Sequence, residues 1–398
     1  MNESNIKTKT FTIAVFFLLT AITVYPAVLM NTAKQNILVL GIMAISPITW
    51  FICRYITKLD VTLIVMYLCM LAFPMVLHPE SIRWSTLIYT GMFISFFISY
   101  TKILHCSDFT IQQLEQFIKT IIYSYAIILI LQQICFFTGI PIINAINIDI
   151  THGFPRLNSI GPEPAWTGRI ICILTYLYIC IWENNSNTNS IKQFFQSNKW
   201  LCLATSYIVL TSGSVTGILF YTILFFKFLN IKSVIPIASF LFLGIFAIEN
   251  FTTITSIERL LRFIPAVLTL DEKIIINADP SGSSRIIPMI QAFKHVSLTS
   301  IEGWFGAGVD YDTQIVNFSG INANGGGFSL WINHGFLVQI LFWTIVWKIC
   351  HIKKDPISII YCVLIIFGGI TINLQVLWFM LILFYTYKYS SKIKLYNI

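Results

Sequence analysis

Three groups of polar residues interrupt this largely apolar chain and carry side chains that can do chemistry. The first is Glu163 between Pro162 and Pro164, with Arg156 shortly before it and Arg169 shortly after it. Proline is well tolerated in the first turn of a helix, so a helix is predicted to begin at this point. The free N–H groups and the positive dipole end of that helix favour a bound anion.

Arg169 falls within the apolar run that follows, five residues beyond Pro164. At 1.5 Å per residue it lies about 7–8 Å below the start of the helix. A charge at such a depth in a membrane costs about 2–3 kcal/mol, which indicates a polar cavity or a partner. Two other interpretations stay open: the guanidinium reaches the lipid headgroups, or it pairs with Glu163 for structural reasons.

Arg285 and His334 are the second and third groups. Arg285 follows residues 281–284, Ser-Gly-Ser-Ser, which would cap a helix that begins near the arginine. A guanidinium at a helix start is unfavourable unless an anion is present, and a solvated surface arginine is the alternative. His334 lies a few residues inside another apolar run, where a histidine tends to face a cavity. Its alternative is a structural hydrogen bond between helices, with Asn333 nearby.

The charges around Arg285 exclude a general basic surface. Residues 250–329 carry five basic and seven acidic side chains, which are Arg259, Arg262, Lys273, Arg285 and Lys294 against Glu258, Asp271, Glu272, Asp279, Glu302, Asp310 and Asp312. An anion site there needs a few placed arginines, which hold phosphate through two hydrogen bonds at once. The sequence has no Walker loop, no Cys-x-x-Cys pair and no Cys/His cluster, so neither ATP, nor a metal, nor another cofactor is predicted.

The elements that position these groups follow from composition. The chain has 398 residues, of which 56% are hydrophobic and 11% are charged, and its mean hydropathy is +0.78. An all-α, polytopic integral membrane protein with about twelve transmembrane helices is predicted, because a span needs roughly 20 apolar residues. The candidate spans are 11–30, 37–52, 61–77, 87–100, 118–137, 165–182, 200–210, 218–229, 234–248, 330–347, 357–370 and 374–387.

Lysine and arginine set the orientation, because basic residues in short loops stay on the cytoplasmic side. With both termini cytoplasmic, 16 of the 25 basic residues lie inside. This inner basic rim explains the net charge of +8, so no nucleic-acid partner is predicted. The chain is then one membrane domain, 1–398, with a shorter periplasmic loop at 139–162 and a large one at 250–329. A single broken helix across 200–229 is the alternative, and it would invert everything downstream.

The large periplasmic loop is too long to be a mere connector. Residues 254–270 and 283–298 have apolar residues at helical spacing with charges opposite, which predicts two helices at the membrane surface. Residues 303–327 are rich in Gly, Asn and Asp and are predicted to be loop.

In this order, the features resemble the O-antigen polymerases (Wzy) of the O-antigen polymerase/ligase superfamily. The resemblance covers the whole architecture and is carried locally by short motifs: Gly-Pro-Glu-Pro at 161–164, Thr-Ser-Gly-Ser at 211–214, Ser-Arg at 284–285, Gly-Trp-Phe-Gly-Ala-Gly at 303–308 and Asn-His-Gly at 333–335. One departure is that Val215 and Thr216 follow Ser214 where the family often has arginine.

The resemblance implies a glycosyltransferase of the bacterial inner membrane that acts in lipopolysaccharide biosynthesis. Its substrates would be undecaprenyl-pyrophosphate-linked oligosaccharide repeat units in the outer leaflet, joined with undecaprenyl pyrophosphate as the leaving group. Arg285 and Arg169, with Arg156, would bind the pyrophosphate, and His334 would orient or protonate its oxygen. Glu163 would be the base or would hold an arginine. A chain-length regulator and membrane lipids would be its partners.

Two other functions are compatible with these residues. An O-antigen ligase, which moves finished polymer onto lipid A core, shares the fold and the leaving group. A flippase for lipid-linked repeat units also has about twelve spans, but it would carry charges in a central cavity and short loops on both sides.

Overall fold

The computed structural model describes residues 3–24, 30–32, 35–53, 56–146, 148, 155–186, 190–227, 255–318, 321–322, 325–353, 355–367 and 371–396. Over these residues the fold is all-α, as predicted. Two short antiparallel strand pairs accompany the helices, Met30–Thr32 with Gln35–Asn36 and Asn317–Phe318 with Ile321–Asn322.

The helices are α1 (Glu3–Thr23), α2 (Ile37–Ile45), α3 (Ile48–Ile52), α4 (Lys58–Leu77), α5 (Trp84–His105), α6 (Ile111–Thr138), α7 (Pro164–Ser186), α8 (Ile191–Ser197), α9 (Lys199–Ser212), α10 (Val215–Phe226), α11 (Thr255–Leu268), α12 (Glu272–Ala278), α13 (Pro280–His295), α14 (Ile301–Phe305), α15 (Asp312–Ile315), α16 (Ser329–His334), α17 (Phe336–Cys350), α18 (Pro356–Phe367) and α19 (Gln375–Tyr396). Short 3₁₀ turns occur at Pro79–Ser81 and Gly326–Phe328.

Within the described ranges, four helices, α4 to α7, are long and apolar enough to cross a membrane, and several shorter apolar helices accompany them. A helix satisfies its own backbone N–H and C=O groups, which is what a hydrocarbon environment demands. These helices are the ones expected of a multi-pass membrane protein. Eleven of the twelve predicted apolar runs overlap a helix of the described residues, and the ninth, 234–248, lies outside them.

The chain divides into two compact units. The first comprises Met1–Gly41, Ser107–Leu260 and Thr386–Ile398, and the second comprises Ile42–Cys106 and Leu261–Tyr385. In the first unit α7 is buried on all sides, and α6, α9 and α10 pack against it. In the second unit α17 packs against α4 and α18, and α5 packs against α4.

A helical hairpin occupies residues 199–226, so the alternative of a single broken helix is wrong. The Ser206 hydroxyl lies 2.5 Å from the Tyr221 hydroxyl. Fifteen residues of continuous helix would separate them by about 22 Å. α9 ends at Gly213 in the left-handed conformation, and the Ser214 side chain caps α10 by accepting the Gly217 N–H. The chain therefore reverses between α9 and α10.

Two glycines let α10 approach α7 closely. A Cβ atom built on Gly168 would lie 2.8 Å from the Cα of Gly217, and one built on Gly217 would lie 3.1 Å from the Cα of Gly168. Close backbone approach through small residues is a common basis of helix association in membranes, where apolar side chains gain little from leaving lipid. This contact therefore holds α10 against the helix that begins beside Glu163.

A pair of alanine substitutions tests this contact. Gly168→Ala places a Cβ against the backbone of Gly217 and should lower the melting temperature of the detergent-solubilised protein by several degrees. Gly41→Ala, in α2, places its Cβ where no atom lies within 4 Å, and it should be neutral or stabilising by up to about 1 kcal/mol, because alanine favours helix over glycine. Equal melting temperatures for the two variants would contradict the contact.

The outer segment, 250–329, has more helix than the sequence predicts. The two predicted helices are present as α11 and α13, and α12 between them was missed. Ala266, Ile275 and Ile287 of these three helices form one small core, so α12 is stabilised by tertiary packing and by its Asp271 cap. Residues 303–327 are only partly loop, because α14 ends at Phe305 and α15 lies within them. The position of these helices at a membrane surface remains a prediction.

Candidate functional site

The Glu163 turn belongs to the first unit. α7 begins at Pro164, as predicted, and the carbonyl of half-buried Glu163 accepts the Thr167 N–H at 3.1 Å. The Thr167 hydroxyl in turn donates to the carbonyl of Asn158 at 2.7 Å. The first turn of α7 is thereby joined to the loop before it, which restricts where Glu163 can lie.

A cluster of buried amide side chains supports that loop, and we call it the amide cluster: Gln132, Asn144 and Asn158. Gln132 accepts the Ser159 N–H at 2.8 Å and donates to the Asn158 side chain at 3.1 Å. Asn144 and Asn158 both donate to the Gly161 carbonyl, at 3.0 and 2.9 Å. Each amide can donate and accept at once, so three buried side chains satisfy the backbone of a non-helical segment.

The two arginines near this turn differ in exposure. Arg169 is 4% exposed, within the part of α7 that other helices cover. Its guanidinium is therefore enclosed by protein, and the interpretation in which it reaches the lipid headgroups does not hold. Arg156 is half-buried in the loop before Glu163.

Removing the centre of the amide cluster should displace the Glu163 turn. Gln132→Leu keeps the side-chain size but leaves the Ser159 N–H without its acceptor, which costs about 1–3 kcal/mol for a buried group. We expect a lower melting temperature and faster proteolysis of the 139–162 loop. Gln116→Leu is the control, because Gln116 lies on the exposed side of the same helix, α6. A Gln132→Leu protein as stable and as protease-resistant as this control would rule out the supporting role.

In the second unit, the turn at 303–308 packs directly against the break between α16 and α17. Ala307 N–H donates to the Ile332 carbonyl at 2.9 Å, and Gly308 N–H donates to the Asn333 carbonyl at 3.3 Å. Gly306 and Gly335 both have positive φ, and a Cβ on either would overlap a carbonyl of the other segment. Two motifs that the sequence separates by 25 residues are thus one structural unit, and only glycine fits at its contact points.

Asp312 and Asn333 fix this arrangement from the other side. Asp312 N–H donates to the Asn333 side-chain oxygen at 2.9 Å, and the Asn333 amide donates back to the Asp312 carboxylate at 2.8 Å. The second carboxylate oxygen of Asp312 accepts the Gly325 N–H at 2.7 Å and the Ser329 hydroxyl at 2.5 Å. Both side chains are buried, and the four bonds position His334, the residue next to Asn333.

His334 lines a polar cavity of about 120 Å³ within the second unit. The volume is many times what one water molecule needs. The polar residues that line it are Thr86, Thr90, Asp310, Asp312, Thr313, Ser329, Asn333, His334, Thr371 and Asn373. His334 is 3% exposed, and its Nδ1 atom has no hydrogen-bond partner among the described residues. The cavity therefore presents carboxylate, hydroxyl, amide and imidazole groups to one small volume.

Arg285 lies elsewhere than the sequence predicts. α13 begins at Pro280, five residues earlier than the predicted start near Arg285, so the arginine is in the second turn. The dipole argument for an anion at Arg285 is therefore wrong, because that effect is confined to the first turn. Arg285 is half-buried and is not one of the residues that line the cavity.

Burial raises the pKa of Asp312, which lies in the outer segment, above its usual range. The hydrogen bonds from Ser329, Gly325 and Asn333 lower the pKa in part, and nearby Asp310 raises it. The native protein therefore holds the Asp312 proton at a higher pH than the unfolded chain does. The associated stability is fully present below the ordinary pKa of about 4 and is lost as pH rises through the native pKa.

Comparing Asp312→Asn with the unaltered protein isolates this titration. The hydrogen bonds that the substitution changes contribute a free energy that does not vary with pH. The pH dependence of the stability difference between the two proteins therefore reports the titration of the Asp312 carboxyl group. We expect the stability of the unaltered protein, relative to Asp312→Asn, to fall as pH rises from 4 towards neutrality, measured by melting in detergent. Glu302→Gln, at an exposed position, should leave the slope unchanged. Parallel pH profiles for the Asp312→Asn and unaltered proteins would refute the shift.

The predicted residues fall into both units. Arg156, Glu163 and Arg169 belong to the first unit, and Arg285 and His334 belong to the second. Sequence reasoning missed the supporting residues, above all Gln132 and Asn158 in the first unit and Asp310 and Asp312 in the second. The two aspartates counted only toward the charge balance of the outer segment, because nothing local in the sequence shows what they contact. Nothing in the sequence distinguished the amides.

Among the described residues, no three His, Cys, Asp or Glu side chains lie close enough together to hold a metal ion. No protein-family model, no curated protein and no solved structure matches the chain. Fold and hydropathy define its class, an all-α multi-pass membrane protein.

Proposed function

We propose that this protein is an O-antigen polymerase, a glycosyltransferase that joins undecaprenyl-pyrophosphate-linked repeat units at the periplasmic face of the bacterial inner membrane. In this proposal the chain crosses the membrane about twelve times, with both termini in the cytoplasm. The lysine and arginine bias of the loops supports this topology. The hairpin of α9 and α10 supports it as well. Counting two crossings there, and not one, leaves the basic C-terminal tail in the cytoplasm.

The observation that carries the proposal is the contact of the 303–308 turn with residues 333–335 beside a polar cavity. In the proposed topology, the outer segment supplies Asp310 and Asp312, and the adjacent span starts supply Thr86 and His334. The cavity is thus at the outer ends of the spans, which is the side where lipid-linked repeat units are presented. Non-helical backbone at membrane depth is tolerated only where it is buried in protein or lines such a cavity.

The proposed reaction needs few groups from the protein. A sugar hydroxyl of one unit attacks the anomeric carbon of the growing chain, and the bond to pyrophosphate breaks. Arginines stabilise the charge that develops on the leaving group, a task that a low-dielectric site strengthens. Arg156, Arg169 and Arg285 are assigned to the pyrophosphate, and His334 is assigned to the oxygen that departs or to its orientation. Glu163 remains a candidate base.

A deletion strain distinguishes the proposed function from its rivals through the intermediates that accumulate. A polymerase deletion leaves single repeat units attached to lipid A core and no ladder. A ligase deletion leaves polymer on undecaprenyl pyrophosphate with nothing attached to the core. A flippase deletion stops repeat units on the cytoplasmic side. Conversion of lipid-linked units into polymer by the purified protein alone would separate the polymerase from both rivals.

Substitution of the assigned residues should strongly reduce the ladder. Arg285→Ala and His334→Ala are expected to reduce polymer at least tenfold in a deletion strain that carries the variant, read from lipopolysaccharide gels at matched protein levels. Removal of one charge-stabilising group typically costs a factor of about 10²–10³ in rate. Lys273→Ala is the control, because it removes an exposed basic side chain from the same outer segment.

The three variants together make the result specific. The Lys273→Ala strain should keep a full ladder. If Arg285→Ala or His334→Ala also kept a full ladder at normal protein levels, the assignment of that residue would be lost.

A further inference from the structure

We infer that the cavity beside His334 binds the hydroxyl groups of the acceptor sugar, with Asp310 as the carboxylate that holds the ligand. This inference rests on the proposed function and extends it, because it names the place where the acceptor sugar binds.

The lining favours a neutral, hydroxyl-rich ligand over an anion. Two carboxylates contribute, and none of the residues that line the cavity in the described part of the chain is a lysine or an arginine. A pyrophosphate placed here would face the Asp310 carboxylate at short range, and like charges repel. A sugar hydroxyl both donates and accepts, which matches carboxylate, amide and hydroxyl groups together.

Asp310 is held in place yet keeps capacity for a ligand. Its Oδ2 accepts the Thr86 hydroxyl at 2.9 Å and pairs with the Arg83 guanidinium at 3.4 Å. No described residue bonds its Oδ1, and a carboxylate offers about four acceptor positions. The side chain is 21% exposed, and it lies at the lining of the cavity. Asp310 can therefore receive one or two ligand hydroxyls without losing its own support.

Asp312 differs from Asp310, and the difference assigns their roles. Both carboxylate oxygens of Asp312 accept hydrogen bonds, from Asn333, Gly325 and Ser329. Asp312 therefore holds together the segments that line the cavity. Asp310 is the carboxylate left available for the ligand. Its backbone is in the left-handed region, with φ of 58°, which is uncommon for a residue other than glycine and is tolerated best by Asn and Asp.

His334 supplies the independent sign that a ligand belongs here. It is almost completely buried, and its Nδ1 atom lacks a hydrogen-bond partner among the described residues. A buried polar atom left unpaired costs about 1–3 kcal/mol, and a hydroxyl in the cavity would remove that cost. The volume of about 120 Å³ is on the scale of one sugar ring, not of a whole repeat unit. The cavity therefore takes the terminal residue of the acceptor.

Binding of a sugar without its lipid tests this inference directly. The probe is the repeat-unit oligosaccharide of the same strain, released from undecaprenyl pyrophosphate by mild acid, and titrated into the full-length protein in detergent by calorimetry. We expect saturable binding that Asp310→Asn weakens at least tenfold. Asn at this position keeps the size and the bond to Thr86, so folding should persist. Glu302→Gln, an exposed acid outside the cavity, is the matched control and should bind as the unaltered protein does.

A second variant and a second probe keep the test decisive. If Asp310→Asn melts at a lower temperature, Thr90→Val replaces it, since it removes a hydroxyl from the lining without touching a charge, and weaker oligosaccharide binding is again expected. Inorganic pyrophosphate is the second probe, and its binding should not weaken in Asp310→Asn. Unchanged oligosaccharide binding in the folded variant would overturn the inference, as would loss of pyrophosphate binding.

The same preparations separate this inference from the proposed function. Suppose that the unaltered protein forms polymer from lipid-linked units and that Asp310→Asn binds the sugar normally. This result would reject only the assignment of the cavity to the acceptor sugar. Sugar binding that depends on Asp310, in a protein that forms no polymer, would instead reject the polymerase and leave a carbohydrate-binding cavity.

Discussion

Buried backbone N–H and C=O groups that leave a helix must bond to other groups of the protein, because an unpaired buried group costs free energy. Two breaks in helical order illustrate how this chain meets the requirement. At the turn before α7, the amide side chains of Gln132 and Asn158 take up the backbone of residues 159–161. At the break between α16 and α17, Asp312 and Asn333 bond reciprocally and hold the neighbouring segments. Many of the buried polar side chains described above take part in these two sets of hydrogen bonds.

Each break also lies beside a side chain that can do chemistry. Glu163 immediately precedes the helix start at Pro164, and His334 immediately precedes Gly335 at the second break. The connection is physical, because a helix interior buries its backbone and leaves little room for polar ligands, whereas a supported break leaves room for polar side chains, as beside His334. The supporting residues determine how rigid each break is, and rigidity is what a catalytic or binding geometry needs.

The polar groups of the two units differ in kind. Arg156, Glu163 and Arg169 stand together in the sequence of the first unit, while the cavity of the second unit is lined by carboxylate, hydroxyl, amide and imidazole groups. A transfer of a sugar from pyrophosphate to a hydroxyl requires recognition of one strongly anionic group and one neutral, hydroxyl-rich group. Arginine suits the first and carboxylate with amide suits the second. The proposed function uses both kinds of environment.

Apolar run length and periodicity, read from the sequence alone, determined most of the helices. Examples are the start of α7 at Pro164 and the two amphipathic helices α11 and α13. These features depend only on local hydropathy and on proline. The start of Arg285's helix, the extra helix α12 and the short helices around residues 301–315 were decided by tertiary contacts. Their caps and small cores join residues that are distant in sequence. The same holds for the site: His334 stood out as a histidine in an apolar run, but Asp310 and Gln132 did not. Their roles arise only when folding brings them to a cavity or to a broken backbone, since a hydrogen bond between distant segments leaves no local pattern.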